Sequence, residues 1–357
     1  MFVPSHMRKQ LPDFFYSRVL PSGIHCESLN TNCLPKVKIM RNLAFSFHAV
    51  LLATILLLSS CGRSVKKSEI AGDVSISGAF ALYPIAVQWA VEFHKVHPDV
   101  QIDISAGGAG KGITDALSNM VDLGMVSRSI SPEEIAKGAW FIVVARDAVI
   151  PVVNALNPVL DSLQLHGMTR EQMISVFISH SITNWDQCFH TPLNGRINVY
   201  TRSDACGAGE MWARYLDRVQ NDIQGVGVYG DPGMADALKS EKNGIGYNNL
   251  IFAYDLHTRK VYNGLAVVPI DLNGDRIIDS YESFYQNIDS LMSAVRHGLY
   301  PFPPGRELYF VCKGKPTSKT VVAFLRWILT DGQQYLSDAG YVKLPADMAE
   351  SELKKLD

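Results

Sequence analysis

The sequence predicts an α/β protein with two lobes and mixed, mostly parallel sheets. Segments with the period of a strand and segments with the period of a helix alternate from Val74 onwards. Such alternation requires a parallel sheet with right-handed crossovers. The 357 residues can fill two cores. The apolar stretch 140–154 has the pattern of two strands in tandem with a polar break at Arg146-Asp147, and it could be one strand that crosses between two lobes.

The first part of this pattern begins with a strand and a helix. Ile85, Trp89 and Phe93 recur at helical spacing until Pro98 ends the run. Two more strands and a short helix follow. Ser131 then precedes Pro-Glu-Glu, which has the composition of a helix start.

The second part continues the alternation after the long apolar stretch. Its segments are a strand at 197–202, a helix from Gly207, strands at 244–247 and 307–314, and a last helix capped by Thr317.

The composition is globular and argues against nucleic-acid binding. Hydrophobic residues make up 47% and charged residues 19% of the chain. The formal net charge is −2; residues 1–60 hold six of the 33 Lys and Arg and two of the 35 Asp and Glu, so the rest holds 27 against 33. Because the body is acidic, nucleic acid is not expected as a partner. An anionic ligand would need a local site.

An export signal precedes the body. Lys36, Lys38 and Arg41 lead into an apolar run at 43–58, and Cys61 follows two serines. This order is typical of a lipoprotein signal, with Cys61 as the lipidated first residue. A membrane-spanning helix is the alternative, but the run is short for a span and polar residues interrupt it.

These features divide the N-terminal region into three parts. Residues 1–39 show no periodicity, so we expect an upstream extension with Met40 as the true start. Residues 40–60 form the signal peptide, and 61–71 form a polar linker. The body then keeps three further cysteines, Cys188, Cys206 and Cys312. Three thiols cannot all pair, so at least one is free.

The sequence contains no enzyme motif. The Gly-rich stretch 107–114 lacks the first Gly and the final Ser or Thr of a nucleotide-binding P-loop. The HExxH pattern of metalloproteases and the GxSxG pattern of hydrolases are absent from the sequence. We therefore expect a binding protein rather than an enzyme.

Eight stretches in order resemble one family. They are GAFALYPIAVQWAVEFHKVHPDV, GGAGKG, VDLGMVSR, SITNWDQ, RSDACGAGE, GIGYNN, RELYFVCKGKP and GQQYLSDAGYVKLP. Together they make the chain similar to the phosphate-binding lipoproteins of bacterial phosphate ABC importers, from about Gly72 to Pro345. No single stretch is specific for this family, but the occurrence of all eight in this order is.

The resemblance implies a type II periplasmic-binding-protein fold, in which two lobes enclose the ligand. The hinge strands would be 140–154 and 306–314. Lobe 1 would comprise 72–146 and 307–357, and lobe 2 would comprise 147–306. In this family phosphate is held by helix N-termini, hydroxyl side chains, one arginine and an acidic residue. Helix-start N–H groups and a guanidinium are both suited to an oxyanion.

The family's ligand-binding positions carry over one by one. They fall on Phe80, Ala81, Ala109, Gly110, Lys111, Ser127, Arg128, Arg202, Cys206, Gly207 and Ala208. The arginine and the glycines match, whereas most hydroxyl side chains are missing and the family's acid falls near Arg128. Backbone donors survive these replacements, and Lys111 and Arg128 add positive charge. Loss of the acid should weaken the preference for phosphate over sulfate, because only hydrogen phosphate has a proton to donate.

Two residues of the stretch 201–212 have more than one interpretation. Arg202 either binds an anion or only caps a strand end, and the coincidence of an arginine, a glycine and a helix start favours the anion. Cys206 could be a nucleophile only with a histidine base nearby. Arg202 and the helix start would lower the thiol pKa of Cys206 and make it reactive.

A second constellation, 271–282, has the spacing of a calcium-binding loop. Its oxygen ligands would be Asp271, Asn273, Asp275, the Ile277 carbonyl, Asp279 and Glu282. The position that should be Gly for the sharp turn is Arg276. A polar turn that leads into a helix explains the stretch equally well, so both interpretations stay open.

The sequence thus predicts a lipid-anchored substrate-binding subunit of an ABC importer, located in the periplasm or cell envelope. Its ligand would be inorganic phosphate or a related oxyanion, and its partners the membrane permease and the lipid at Cys61. We expect a monomer that needs no cofactor, calcium aside. The alternative is a sensor or interaction protein that keeps the fold but has lost the ligand, which the missing hydroxyls favour.

Overall fold

A computed structural model of the chain describes residues 70–189 and 195–357. The expected extension, signal peptide, lipidated Cys61 and nearly all of the linker lie outside these residues. Within the described ranges, no helix has the length and apolar character needed to span a membrane.

Strands and helices alternate along the described chain. The strands are β1 Gly72–Gly78, β2 Val100–Ala106, β3 Leu123–Val126, β4 Ala139–Asn154, β5 Met168–Thr169, β6 Asn198–Arg202, β7 Val226–Val228, β8 Gly244–Asn249, β9 Leu265–Val267, β10 Ile270–Asp271 and β11 Gly305–Lys313. The helices are α1 Tyr83–Val96, α2 Ala109–Leu117, α3 Pro132–Ala136, α4 Leu160–His166, α5 Arg170–Phe177, α6 Trp185–Phe189, α7 Gly207–Tyr215, α8 Gly230–Ser240, α9 Leu250–Ala253, α10 Ile288–His297, α11 Lys319–Leu329 and α12 Ala346–Lys354. The predicted α/β class is confirmed.

Nine of these strands pair in one mixed sheet. Their order is β2-β1-β3-β11-β4-β8-β6-β7, and β9 pairs with β4. The strands of each end, β1 to β3 and β6 to β8, run parallel to one another. The antiparallel pairs of this sheet all involve β4 or β11. Two parallel halves therefore meet at two central strands of opposite direction.

Strand β4 is a single strand of 16 residues that serves both lobes. Its first part pairs with β11 as far as Ala148, which lies opposite Gly305. The next residue, Val149, lies opposite Asn249 of β8. The polar pair at 146–147 lies within the strand, so the stretch is one crossover strand rather than two strands in tandem.

Each lobe has its own cluster of buried apolar side chains. Among the largest of lobe 1 are Trp89, Tyr341, Phe93 and Phe310. The largest of lobe 2 are Trp185, Trp212, Tyr247 and Tyr254. Along β4 the chain passes from the first cluster at Ala145 to the second at Ala148. The lobe limits at 146/147 and 306/307 remain a prediction.

Helix starts follow the sequence signals with one exception. At α3 the Ser131 hydroxyl accepts the N–H of Glu134, whose carboxylate accepts the N–H of Ser131. Helix α11 is capped by Ser318 and not by Thr317, because the Ser318 hydroxyl accepts the N–H of Val321. Both residues have the oxygen that a cap requires, and the one next to the first helical turn reaches the free N–H.

Candidate functional site

The starts of α1 and α2 from lobe 1 and of α7 from lobe 2 meet between the lobes. The ring of Phe80, just before α1, lies 5.7 Å from the guanidinium carbon of Arg202 and 5.8 Å from the ring of Tyr229. The N–H of Gly110 in α2 donates to the carbonyl of Ala205 at 3.1 Å. The structure thus brings residues of three separate sequence stretches to one place.

Close approach of the two lobes requires glycine at two of these positions. A Cβ at Gly207 would stand 2.2 Å from the carbonyl and the hydroxyl oxygen of Ser127, across the cleft. A Cβ at Gly110 would stand 2.8 Å from the Cβ of Ala205. A larger residue at either position would have to push the lobes apart. The glycines that match the family therefore set how near the lobes come.

Backbone N–H groups at these helix starts lack acceptors in the described parts of the chain. They belong to Phe80, Ala81, Ala109, Lys111, Gly207 and Ala208. The first N–H groups of a helix have no partner in the helix and lie at the positive end of its dipole. A bound oxyanion would satisfy several of them at once. The missing hydroxyl side chains thus leave the backbone donors of the site intact.

Arg202 lies at the end of β6 and is 5% exposed. Its Nε and Nη2 donate to the Asp204 carboxylate at 2.8 and 2.6 Å, and its Nη1 lies 3.0 Å from Asp231 Oδ2. Burial opposes the charge, but the two carboxylates more than offset it, so the pKa of Arg202 is raised. Three N–H donors of the guanidinium face carboxylates, and the other two have no acceptor among the described residues.

Sequence reasoning missed the two aspartates that hold Arg202. Asp204 lies within the stretch that resembles the family, and its carboxylate also accepts the N–H of Gly230 at 3.2 Å. Asp231 is 1% exposed in the first turn of α8 and accepts the side-chain N–H of Asn249 at 2.6 Å. Nothing local in the sequence links Asp231 to Arg202, because the fold alone brings α8 beside β6.

Lys111 and Arg128 give the site less positive charge than the sequence suggested. The Lys111 ammonium pairs with Asp115, one turn further along α2. The Arg128 guanidinium donates to both carboxylate oxygens of Glu134 at 2.9 and 2.6 Å. These carboxylates neutralise both cations, so the expectation of added positive charge there is wrong. The backbone N–H of Lys111 has no acceptor among the described residues.

Cys206 caps α7, and its thiol is not activated. Its Sγ accepts the N–H of Gly209 at 3.2 Å, and the residue is 5% exposed. Burial raises the pKa of Cys206 to about 12, although Arg202 partly offsets this. The expectation of a lowered pKa and a reactive thiol is wrong because desolvation outweighs the arginine and the helix start.

We predict that Cys206→Ser leaves the affinity for phosphate, the ligand that the family resemblance implies, unchanged or tightens it. Serine is a preferred helix cap and supplies the hydroxyl of the family. Titration calorimetry with phosphate measures the affinity, and a lost affinity would show that the thiol is required. Cys312→Ser is the matched control: Cys312 is buried and has no hydrogen-bond partner in the described residues, so a hydroxyl there should cost about 1–3 kcal/mol of stability without altering binding.

The loop 271–282 holds itself together through its acidic side chains. The Asp271 carboxylate accepts the N–H groups of Gly274 and Arg276 at 2.7 and 3.0 Å. The buried Glu282 carboxylate accepts those of Leu272 and Asp279 at 2.7 and 3.0 Å. Within the described residues, no three His, Cys, Asp or Glu side chains form a group that could hold a metal ion.

The residue that replaces the expected glycine of this loop takes a glycine-like conformation. Arg276 has a φ of 65°, in the left-handed region. Its carbonyl accepts a hydrogen bond from His166 Nδ1 at 2.7 Å, which ties the turn to α4. The sharp turn therefore forms without glycine, and the objection raised by Arg276 to a calcium loop is removed.

Comparison with known proteins gives one family. A family model described as a PBP superfamily domain matches residues 64–332. The phosphate-binding protein PstS of Xylella fastidiosa strain Temecula1 is 25% identical over 319 residues, which cover 79% of this chain and 84% of that protein. Phosphate-binding protein PstS 3 of Mycobacterium tuberculosis strain H37Rv is 26% identical over 356 residues. The match covers 83% of this chain and 93% of that protein.

Solved structures are similar in fold. A putative phosphate ABC transporter substrate-binding protein with bound phosphate from Clostridium perfringens superimposes with a TM-score of 0.63 at 21% identity, covering 77% of this chain and all of that one. An ABC-type phosphate transport receptor from Vibrio cholerae superimposes with a TM-score of 0.56 at 17% identity. The match covers 76% of this chain and 100% of that one. At these identities the likeness shows the fold: two lobes around a mixed sheet.

Proposed function

Because the chain belongs to the family of PBP superfamily domains, as its eight stretches predicted, we propose that it is the substrate-binding subunit of an ABC importer. Its ligand would be inorganic phosphate or a related oxyanion, held between the two lobes. The names of its curated relatives support phosphate as the first ligand to test. They also favour this function over the alternative of a sensor or interaction protein that has lost its ligand.

One observation supports an oxyanion most strongly: donors without acceptors lie at the cleft. Within the described residues, N–H groups at three helix starts and two N–H donors of the buried Arg202 have no acceptor. Unpaired buried donors destabilise a protein, so a ligand rich in acceptor oxygens would be bound favourably. Because the donors come from both lobes, such a ligand would bridge them and stabilise the closed form.

Titration calorimetry with phosphate, arsenate, sulfate and molybdate tests the proposal. We expect heat and a single site with phosphate or arsenate. A protein that binds none of the four oxyanions would refute the importer subunit and restore the alternative of a ligand-free interaction protein. Because the Cys206 thiol is buried and protonated, we propose binding rather than catalysis at this site.

We further propose that the protein is exported and anchored through a lipid on Cys61. The order of basic, apolar and small residues before Cys61 supports this. A membrane permease would be its partner, and a monomer would suffice for that contact. Mass spectrometry of the exported protein should give an acylated Cys61 as the first residue. A mature chain that starts upstream of Met40 would contradict the proposal.

Calcium binding at 271–282 is a separate prediction, and it requires Asp271 and Glu282 to turn from the backbone N–H groups they accept here towards the ion. A ligand that binds only the native state stabilises it, by about 2.7 kcal/mol at a hundredfold excess over its dissociation constant. Calcium added to chelator-treated protein should therefore raise the melting temperature. The rise should vanish in Asp271→Ala with Asp275→Ala and persist in Asp255→Ala, an aspartate that accepts two N–H groups in a different turn. If millimolar calcium does not raise the melting temperature, the stretch 271–282 is a polar turn that binds no calcium.

A further inference from the structure

The side chain of Phe80 crosses from lobe 1 to lobe 2. Its neighbours in the chain, Ala79 and Ala81, both belong to the buried apolar cluster of lobe 1. The carbonyl of Ala81 accepts a hydrogen bond from the hydroxyl of Tyr341 at 2.6 Å. The N–H of Ala79 donates to the carbonyl of Met125 at 2.9 Å. The backbone on both sides of Phe80 is therefore fixed in lobe 1.

On lobe 2 the ring of Phe80 meets three residues. The guanidinium carbon of Arg202 lies over the ring, 5.7 Å from its centre. The ring of Tyr229 meets it edge to face, with the two centres 5.8 Å apart and the planes at 86°. A Cβ at Gly230 would stand 3.4 Å from Cζ at the tip of the ring, so the start of α8 borders it. Phe80 thus stands on one lobe and makes its cation and aromatic contacts on the other.

The contact between this ring and Arg202 is attractive. The face of an aromatic ring attracts a cation within about 6 Å of its centre, and the attraction is stronger when the cation is removed from water. The Arg202 side chain is 1% exposed. Burial opposes its charge, but Asp231 and Asp204 raise the pKa of Arg202, so it stays a cation.

A ring is suited to this place because it attracts the arginine without adding charge. Arg202 already faces the carboxylates of Asp204 and Asp231, and a third carboxylate would repel a bound oxyanion. The hydroxyl side chain that the family resemblance implies at position 80 would contact the ligand rather than the arginine. Phenylalanine therefore changes the partner of this position from the ligand to Arg202.

The contact depends on how close the lobes are. Phe80 and Arg202 stand on different lobes, so opening at the hinge would separate them. The same arrangement places the N–H of Gly110 at 3.1 Å from the carbonyl of Ala205. A contact that only the closed form makes raises the population of that form. The apparent affinity for a ligand that needs the closed form rises in proportion.

We propose that Phe80 is a positioning residue of the anion site, whose ring holds the Arg202 guanidinium across the cleft and stabilises the closed form. This rests on the proposed function. The Phe80 side chain acts through Arg202 and need not touch the ligand. It replaces, by a contact between the lobes, part of the stabilisation that a hydroxyl at this position would give through the ligand.

Titration calorimetry with phosphate compares the full-length wild type with Phe80→Leu, which keeps an apolar side chain but has no ring face. We expect the affinity to fall about tenfold in Phe80→Leu, equivalent to about 1.4 kcal/mol. Tyr229→Leu removes the edge contact and leaves the contact with Arg202, so its loss should stay below about threefold, or about 0.7 kcal/mol. An unchanged or higher affinity in Phe80→Leu overturns the proposal. An equal loss in Tyr229→Leu also overturns it, because general packing between the lobes would then explain both.

Phe141→Leu is the matched control. Phe141 is also a partly buried phenylalanine with a cation over its ring, the Lys355 ammonium at 5.3 Å. It too has an edge-to-face neighbour, Tyr309 at 5.7 Å. All three residues belong to lobe 1, so we expect the phosphate affinity of Phe141→Leu to equal that of the wild type. A loss like that of Phe80→Leu would mean that the effect does not arise at the cleft, and would overturn the proposal.

A spectroscopic measurement tests the contact itself. Protons over the face of an aromatic ring resonate upfield, and the Arg202 side chain is buried, which slows exchange of its N–H protons with water. Its N–H signals are the ones missing from the nuclear magnetic resonance spectrum of Arg202→Ala. In phosphate-saturated protein these signals should move downfield in Phe80→Leu and stay in place in Phe141→Leu. Packing alone would not produce this shift, and its absence overturns the proposal.

The outcomes separate this inference from the proposed function. If the wild type binds one of the other three oxyanions rather than phosphate, the same comparison is made with that anion. A wild type that binds an oxyanion with an affinity independent of Phe80 overturns the inference alone. A wild type that binds none of the four overturns the proposed function, and this inference with it.

Discussion

Replacing Arg306 with methionine is expected to lower the free energy of unfolding by about 3–5 kcal/mol, because it leaves the buried Asp147 carboxyl without its partner. Arg306 is 1% exposed, and its guanidinium joins both hinge strands and Asn249. Chemical denaturation followed by circular dichroism measures the loss. A cost below about 1 kcal/mol would show that water or a neighbour replaces the arginine.

Two further variants separate the effect of charge from the effect of side-chain packing at the Arg306–Asp147 pair. Arg146→Met is the matched control. Arg146 lies next to Asp147 on β4 and is partly exposed, and its Nη2 lies 3.4 Å from Glu307 Oε1, which is long for an ion pair. Its loss should cost at most about 1 kcal/mol. Asp147→Leu combined with Arg306→Met removes both charges, and such a change is often neutral or stabilising. The double variant should therefore recover most of the stability lost in Arg306→Met.

Arg202→Ala is expected to weaken phosphate binding by about a hundredfold or more. Two guanidinium N–H donors are free for the anion, and a hydrogen bond to a charged group contributes about 1.5–3 kcal/mol. Each tenfold in affinity corresponds to about 1.4 kcal/mol. The change also leaves Asp204 and Asp231 uncompensated, and their negative charge would repel an anion. The loss should therefore exceed the value for the hydrogen bonds alone.

Lys111→Ala is the matched control for Arg202. Its ammonium lies near the same site, but it pairs with Asp115 and its side chain is 44% exposed. Its backbone N–H, which is the group available to an anion, survives the substitution. We expect less than a threefold change in affinity, equivalent to under about 0.7 kcal/mol. Similar losses in both variants would mean that overall charge, rather than the Arg202 guanidinium, determines binding.

Local signals explain which parts of the site could be predicted. The α7 start at Gly207, the end of β6 at Arg202 and the long strand β4 follow from periodicity and from residues within a few positions of one another. The pairing of Lys111 with Asp115 was also predictable, because residues four apart face each other on a helix.

Contacts between distant segments explain what could not be predicted. Asp231 reaches Arg202 only because α8 packs beside β6, and no sequence spacing encodes that contact. The pKa of Cys206 depends on how deeply α7 is buried, whereas the sequence shows only its charged neighbour and its helix start. In both cases the deciding quantity, proximity or desolvation, arises from tertiary packing.

The change of partners along β4 has a consequence for how the protein can be cut. Ala148 pairs with β11 and Val149 with β8, so no unpaired residue separates the ladder of one lobe from that of the other. A protease needs several residues of extended, accessible chain, and this crossing offers none. Limited digestion should therefore trim the termini or surface loops before it severs this connection, and β4 should remain intact in the largest resistant fragment.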